Sequence, residues 1–119
     1  MDQSTIVNER YINNGIIWDI KGDLTNKSPL LQKWQMVQPR HDNPSFLIIN
    51  FSEIVYINSS GIALLIRVVR TAAKEGYRTF AYGISAHYQK LFKMVGLLEY
   101  MTIYPDEYAI MERIEYKLD

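Results

Sequence analysis

Hydrophobic and polar positions alternate along Ile16-Ile17-Trp18-Asp19-Ile20-Lys21, with Ile16, Trp18 and Ile20 falling on one face, the period-two pattern of a half-buried strand. Asn13-Asn14-Gly15 just before it supplies turn residues that tolerate positive φ, so the chain is expected to open with a hairpin whose first strand lies within Thr5 to Ile12. The period changes after Gly22-Asp23-Leu24. Ser28 is placed to cap a helix, Pro29 suits its first turn, and Leu30, Leu31, Trp34 and Val37 recur at helical spacing. Pro39 to Pro44 reads as a polar loop, and Phe46-Leu47-Ile48-Ile49 as a central strand covered on both faces.

The segment Ile57-Asn58-Ser59-Ser60-Gly61 then leads into a second helix, Ile62 to Lys74, which is apolar except for one stripe of Arg67, Arg70, Thr71 and Lys74. Gly76 ends it, and Arg78 to Tyr82 predicts another strand. Ser85 caps a third helix in which Tyr88, Leu91, Phe92 and Val95 face inward, with Gly96 terminating the run. Tyr100 to Tyr104 gives a last short strand. Pro105-Asp106-Glu107 opens a fourth helix with a proline and two acids, suited to the exposed amides of a first turn, and Ile110, Met111 and Ile114 continue it. The predicted order is β-β-α-β-α-β-α-β-α: an α/β protein with a mixed sheet and about four helices packed on it, one domain over residues 1–119, without repeats or linkers.

Composition narrows the function. At 119 residues a single domain buries roughly two-thirds of its unfolded surface and folds without disulfides or a structural metal. The absence of cysteine removes disulfide frameworks, thiolate zinc sites and thiol nucleophiles together, and is compatible with a reducing, cytoplasmic setting. Thirteen basic residues balance thirteen acidic ones, so the basic excess that marks nucleic-acid binding is missing. No basic stretch leads into an apolar run near Met1, and no uncharged apolar run approaches the ~20 residues of a membrane span.

Catalytic chemistry finds little support. His41 and His87 lie far apart and read as surface residues, neither with a second ligand at the spacing a helical metal site uses, so no metal and no cofactor is expected. Asp19 and Asp23 read as solvated and non-catalytic. Ser59-Ser60-Gly61 lacks the flanking glycines of a nucleophile elbow, and neither a phosphate-binding loop nor a dinucleotide fingerprint occurs. An enzyme would need a converging set of groups that these residues do not supply.

The segment from Asn58 to Ile62 stands out because it places hydroxyls at a helix N-terminus, where backbone amides point outward. Its local pattern alone makes Asn58, Ser59 or Ser60 an N-cap, which contributes ~1 kcal/mol.

Several stretches together resemble the STAS domain family, named for sulfate transporters and anti-sigma factor antagonists. They are Leu47-Ile48-Ile49-Asn50-Phe51, Ile57-Asn58-Ser59-Ser60-Gly61-Ile62, Leu64-Leu65, Lys74-Glu75-Gly76, Leu91-Phe92 and Val95-Gly96-Leu97, with Gly22-Asp23-Leu24 similar to the family's Gly-Glu-Leu before the first helix. The likeness covers nearly the whole chain. It implies a stand-alone anti-sigma factor antagonist whose first serine of Ser-Ser-Gly, Ser59, is phosphorylated by a partner that is both anti-sigma factor and serine kinase. The unphosphorylated form would bind that partner and free the sigma factor, and a serine phosphatase would reset the cycle. On this reading Asn58, Ser59, Ser60, Gly61 and Ile62 form the docking face, Gly61 permits close approach of a partner's backbone, and Asp23, Leu24 and Thr25 lie at its rim. Asn58 stands where the family usually has aspartate, and Thr25 where many members have aspartate. The first substitution either relaxes repulsion beside a phosphoserine or marks an accessory STAS subunit of a transport or scaffold complex that is never phosphorylated.

Overall fold

The computed structural model describes residues 4–12, 14–37 and 45–117. A five-stranded sheet runs in the order β1 (Ile6–Ile12), β2 (Gly15–Leu24), β3 (Ser45–Ile57), β4 (Tyr77–Tyr82) and β5 (Met101–Ile103), so that neighbours in space are neighbours in the chain. β1 and β2 are the expected antiparallel hairpin, closing at Ile12 opposite Gly15. The remaining pairs are parallel. Parallel strands need crossovers, and the helices α1 (Leu30–Gln35), α2 (Ser59–Lys74) and α3 (Ala86–Met94) provide them, while α4 (Glu107–Lys117) follows β5.

Strand alternation divides the core between the two faces of the sheet. On one face Ile16, Trp18, Ile20, Leu47, Ile49 and Phe51 meet Leu30 and Trp34 of α1, Leu65, Val68 and Val69 of α2, and Phe92 of α3. On the other, Ile17, Phe46, Ile48 and Phe80 meet Ile110 of α4. This explains the unbroken apolar run at the start of β3: the strand is central and both its faces are covered. The two tryptophans belong to the first face, their rings edge-on at 6.2 Å, with Trp34 also edge-on to Tyr77 at 4.8 Å.

Several expectations need correction. Ser28 does not cap α1; its hydroxyl accepts from the Thr25 amide at 2.9 Å and bonds Thr5, so it braces the preceding loop. α1 ends at Gln35, and Val37 packs on the core from beyond it. In α3 Ser85 is the N-cap and Phe92 is fully buried, but Leu91 is only half-buried and Val95 is 46% exposed because it is the C-cap, outside the helical stripe. The loop from Pro39 to Pro44, with His41, lies outside the described residues, whereas His87 is exposed.

Asp19 and Asp23 are not solvated carboxylates. Asp23 is buried. Asp19 takes the Arg10 guanidinium at 2.6 and 2.9 Å and the Asn50 amide at 2.7 Å, and Arg10 reaches on to Glu107 of α4 at 2.7 Å. Tyr82 donates to the same Glu107 at 2.9 Å. Arg10 therefore ties the hairpin to α4, and its hydrogen bonds hold both carboxyls below their usual range. Burial, followed by the bond to Glu107, pushes the Tyr82 hydroxyl up to about 12.

A carboxyl whose pKa is lower in the folded state contributes stability that is complete above the unfolded value, near ~4, and lost as pH falls through the folded value. Arg10→Met should thus cost about 1 kcal/mol at neutral pH, an amount limited by solvent screening of a half-exposed pair. That cost should shrink as pH drops from ~5 towards ~2. Denaturant melts at several pH values check this; an equal cost at both ends would show that Arg10 acts by packing rather than charge.

Candidate functional site

The long strand β3 ends at Ile57, and the chain turns at once into α2. Asn58 makes the turn. Its backbone is extended, and its side-chain oxygen accepts from the Gly61 amide at 2.7 Å, a full N-cap. The same oxygen accepts the Ser60 hydroxyl at 2.9 Å. Ser60 in turn accepts the backbone amide of Asn26, at 3.2 Å, from the loop after β2. Asn58 and Ser60 are therefore occupied in holding α2 to that loop.

Ser59 differs. It is the first residue of α2, it is exposed, and its hydroxyl bonds nothing among the described residues. The capping role that the local pattern left open among three residues falls to Asn58. The serine beside it is left pointing its chemistry outward at the positive end of a 16-residue helix.

Gly61 is buried, and its role differs from the one expected. A Cβ there would lie 2.6 Å from the Leu24 carbonyl carbon and 3.1 Å from the Thr25 amide nitrogen. The backbone that approaches Gly61 is this chain's own, and Asn58 N–H donates to the Leu24 carbonyl at 3.2 Å in the same contact. The Leu24 side chain is wholly buried and Asp23 is 8% exposed, so neither side chain forms a rim; Thr25 is half-buried, and Ile62 packs against the core. Sequence reasoning brought the two segments near each other correctly. It missed Asn26, whose cue was the turn-forming run Asn26-Lys27-Ser28 after β2.

Beside this helix start, a groove of about 360 Å³ opens between the end of β3 and the start of α3. Phe51, Val55, Ile57 and Ile84 line it, and the Tyr88 hydroxyl accepts the Ile57 amide at 3.0 Å, satisfying a backbone group that β4 is too short to reach. Among the described residues no group of three or more histidines or carboxylates is placed to hold a metal ion. No helix there is long and apolar enough to cross a membrane.

A mixed five-stranded sheet whose central strand delivers Asn-Ser-Ser-Gly onto a buried helix, with one serine left outward, defines a module built around a helix start. The chain belongs to the STAS domain family, which it matches over residues 9–110. No curated protein is detectably similar in sequence. Among solved structures it is similar to RsbS of Moorella thermoacetica carrying a serine-to-glutamate substitution (TM-score 0.74, 14% identity, 93% of this chain and 98% of that one). It is also similar to an anti-sigma factor antagonist from Mycobacterium paratuberculosis (TM-score 0.69, 18% identity, 93% and 94%). A third is the Bacillus cell fate determinant SpoIIAA in its phosphorylated form (TM-score 0.62, 19% identity, 92% and 100%). These likenesses establish the shared fold.

Proposed function

We propose that this protein is an anti-sigma factor antagonist that acts as a phospho-switched binding module. The start of α2 is its docking face and Ser59 its switch. The observation that carries the reading is the division of labour between adjacent serines: Ser60 is bonded into the loop, whereas Ser59 is exposed with its hydroxyl unused. Of the similar structures, one is of an anti-sigma factor antagonist and another of a phosphorylated protein, and both support the same reading. The partner would be an anti-sigma factor with serine kinase activity that binds ATP and transfers its γ-phosphoryl group to the Ser59 hydroxyl, releasing ADP, and a serine phosphatase would restore the free hydroxyl by hydrolysis.

A phosphate on Ser59 adds about −1.5 to −2 charges, which the amides and dipole of a helix N-terminus accommodate. The fold is therefore retained and the effect falls on the partner. Weakening binding a hundredfold takes ~2.7 kcal/mol. One like-charge contact at ~4 Å in an effective dielectric near 20 supplies ~4 kcal/mol, enough without any steric clash.

The test is a titration of an anti-sigma factor of the serine-kinase class with four forms of the protein: unmodified, phosphorylated on Ser59, Ser59→Asp and Ser59→Ala. Phosphorylated Ser59 protein should bind roughly a hundredfold more weakly than the unmodified form. Ser59→Asp should bind more weakly than wild type with an unchanged melting temperature, and Ser59→Ala should bind normally while taking up no phosphate. Unchanged affinity of the fully phosphorylated protein would refute the switch. Failure of wild type to incorporate phosphate would favour an accessory subunit that docks constitutively through the same helix start.

A further inference from the structure

The formal charge of zero conceals an uneven split between the two faces of the sheet. The three helices on one face, α1, α2 and α3, carry Lys33, Arg67, Arg70, Lys74, Lys90 and Lys93 and no acidic residue at all. The most ordered part of this charge is the outward row of α2. Arg67, Arg70 and Lys74 are exposed along its C-terminal half and line a shallow depression of about 220 Å³ with Thr71. Arg70 is held over the Tyr100 ring at 5.9 Å. None of the three pairs with a carboxylate among the described residues.

The opposite face presents the complement. Ile110 of α4 is buried and Met111, Arg113 and Ile114 are half-buried, which leaves Tyr108, Glu112 and Glu115 as its exposed row. Residues 67 to 74 and residues 108 to 115 each span seven helical steps, about 10.5 Å, so two rows of opposite sign are equal in length. Tyr108, 73% exposed, offers an aromatic surface of the kind on which Arg70 already rests. The rows lie on opposite faces of the sheet and cannot meet within one molecule.

We propose that the basic row of α2 is an interface for the acidic row of α4 on a second copy of this chain. The contact is heterologous: each copy uses one surface to receive and another to insert, and copies add head to tail. It sits at the far end of α2 from Ser59, so association leaves the helix start uncovered. The proposal does not depend on the function assigned to that serine.

Sedimentation of the full chain tests it. In about 10 mM salt, where the screening length is ~30 Å, the average mass should rise with protein concentration, and in about 1 M salt, where it is ~3 Å, it should return to the monomer value. R67E/R70E and E112K/E115K should each remain monomeric. The quadruple variant R67E/R70E/E112K/E115K restores zero net charge with the polarity of both rows reversed, and should recover association. All four positions are exposed, so each variant should fold, which circular dichroism checks. A wild-type protein that stays monomeric in low salt up to about 1 mM overturns the proposal, as does association that persists in R67E/R70E. Monomeric wild type that binds phosphatidylserine vesicles, with binding lost in R67E/R70E, would overturn it in favour of a lipid surface.

Discussion

Gly61→Ala is expected to lower the melting temperature by roughly 10 °C, which corresponds to ~3 kcal/mol in a domain of this size. The added methyl group meets backbone on the far side, the Leu24 carbonyl and the Thr25 amide, and not a side chain that can swing away. Either α2 lifts from the loop after β2 or the loop moves, and both break the Asn58–Leu24 and Asn26–Ser60 bonds that set the helix start. Gly76→Ala is the informative control. Gly76 has φ +88° and open space around its Cα, so alanine there suffers only the left-handed backbone penalty of ~1–2 kcal/mol. Thermal melts of both variants separate the two costs. A Gly61→Ala melting temperature within about 2 °C of wild type would mean that the loop yields freely.

Phe92→Ala should destabilise the protein by ~3–5 kcal/mol. Phe92 is the one fully buried side chain of α3, seated against Phe51 at 5.8 Å and Tyr88 at 6.4 Å between ring centres. The remaining attachments of this nine-residue helix are shallower: the half-buried Leu91 and Tyr88, whose hydroxyl accepts the Ile57 amide. Phe92→Leu, which keeps most of the volume, should recover the larger part of the loss. Chemical denaturation reads both, and an unchanged midpoint in Phe92→Ala would place the anchor of α3 elsewhere.

The order of elements along the chain and the approximate helix positions were legible because each strand and helix announces itself locally, by period and by punctuating residues such as Asn14-Gly15 and Ser85; the order of the strands across the sheet was not. Asn-Ser-Ser-Gly before an apolar run also placed hydroxyls at the head of α2, but the local pattern left the cap open among Asn58, Ser59 and Ser60, and Ser59 was singled out by the family resemblance. What stayed hidden was contact between distant segments. Asp19 looked solvated because its partner Arg10 arrives across the hairpin and Glu107 from 97 residues beyond Arg10. The hairpin half of that pairing was within reach: closing the turn at Ile12 opposite Gly15 puts Arg10 opposite Ile17, diagonal to Asp19. Gly61 was assigned to a partner because nothing in its neighbourhood names Leu24, whose approach depends on the register of β2 against β3. Val95 was read as facing inward because a cap residue and a stripe residue obey the same spacing until the helix actually stops, here at Met94.

The strand order has a consequence for how the chain reaches this state. Because the sequence of strands across the sheet is their sequence along the chain, each new strand finds its partner in the one completed just before it. The sheet can grow from the hairpin outward as the polypeptide is synthesised, one strand-helix unit at a time. Each parallel pairing closes only the loop that holds its own crossover helix, so no strand must wait, unpaired and aggregation-prone, for a partner made much later. Growth ends with β5, a strand of only three residues, and so short an edge gives a foreign strand little to pair with.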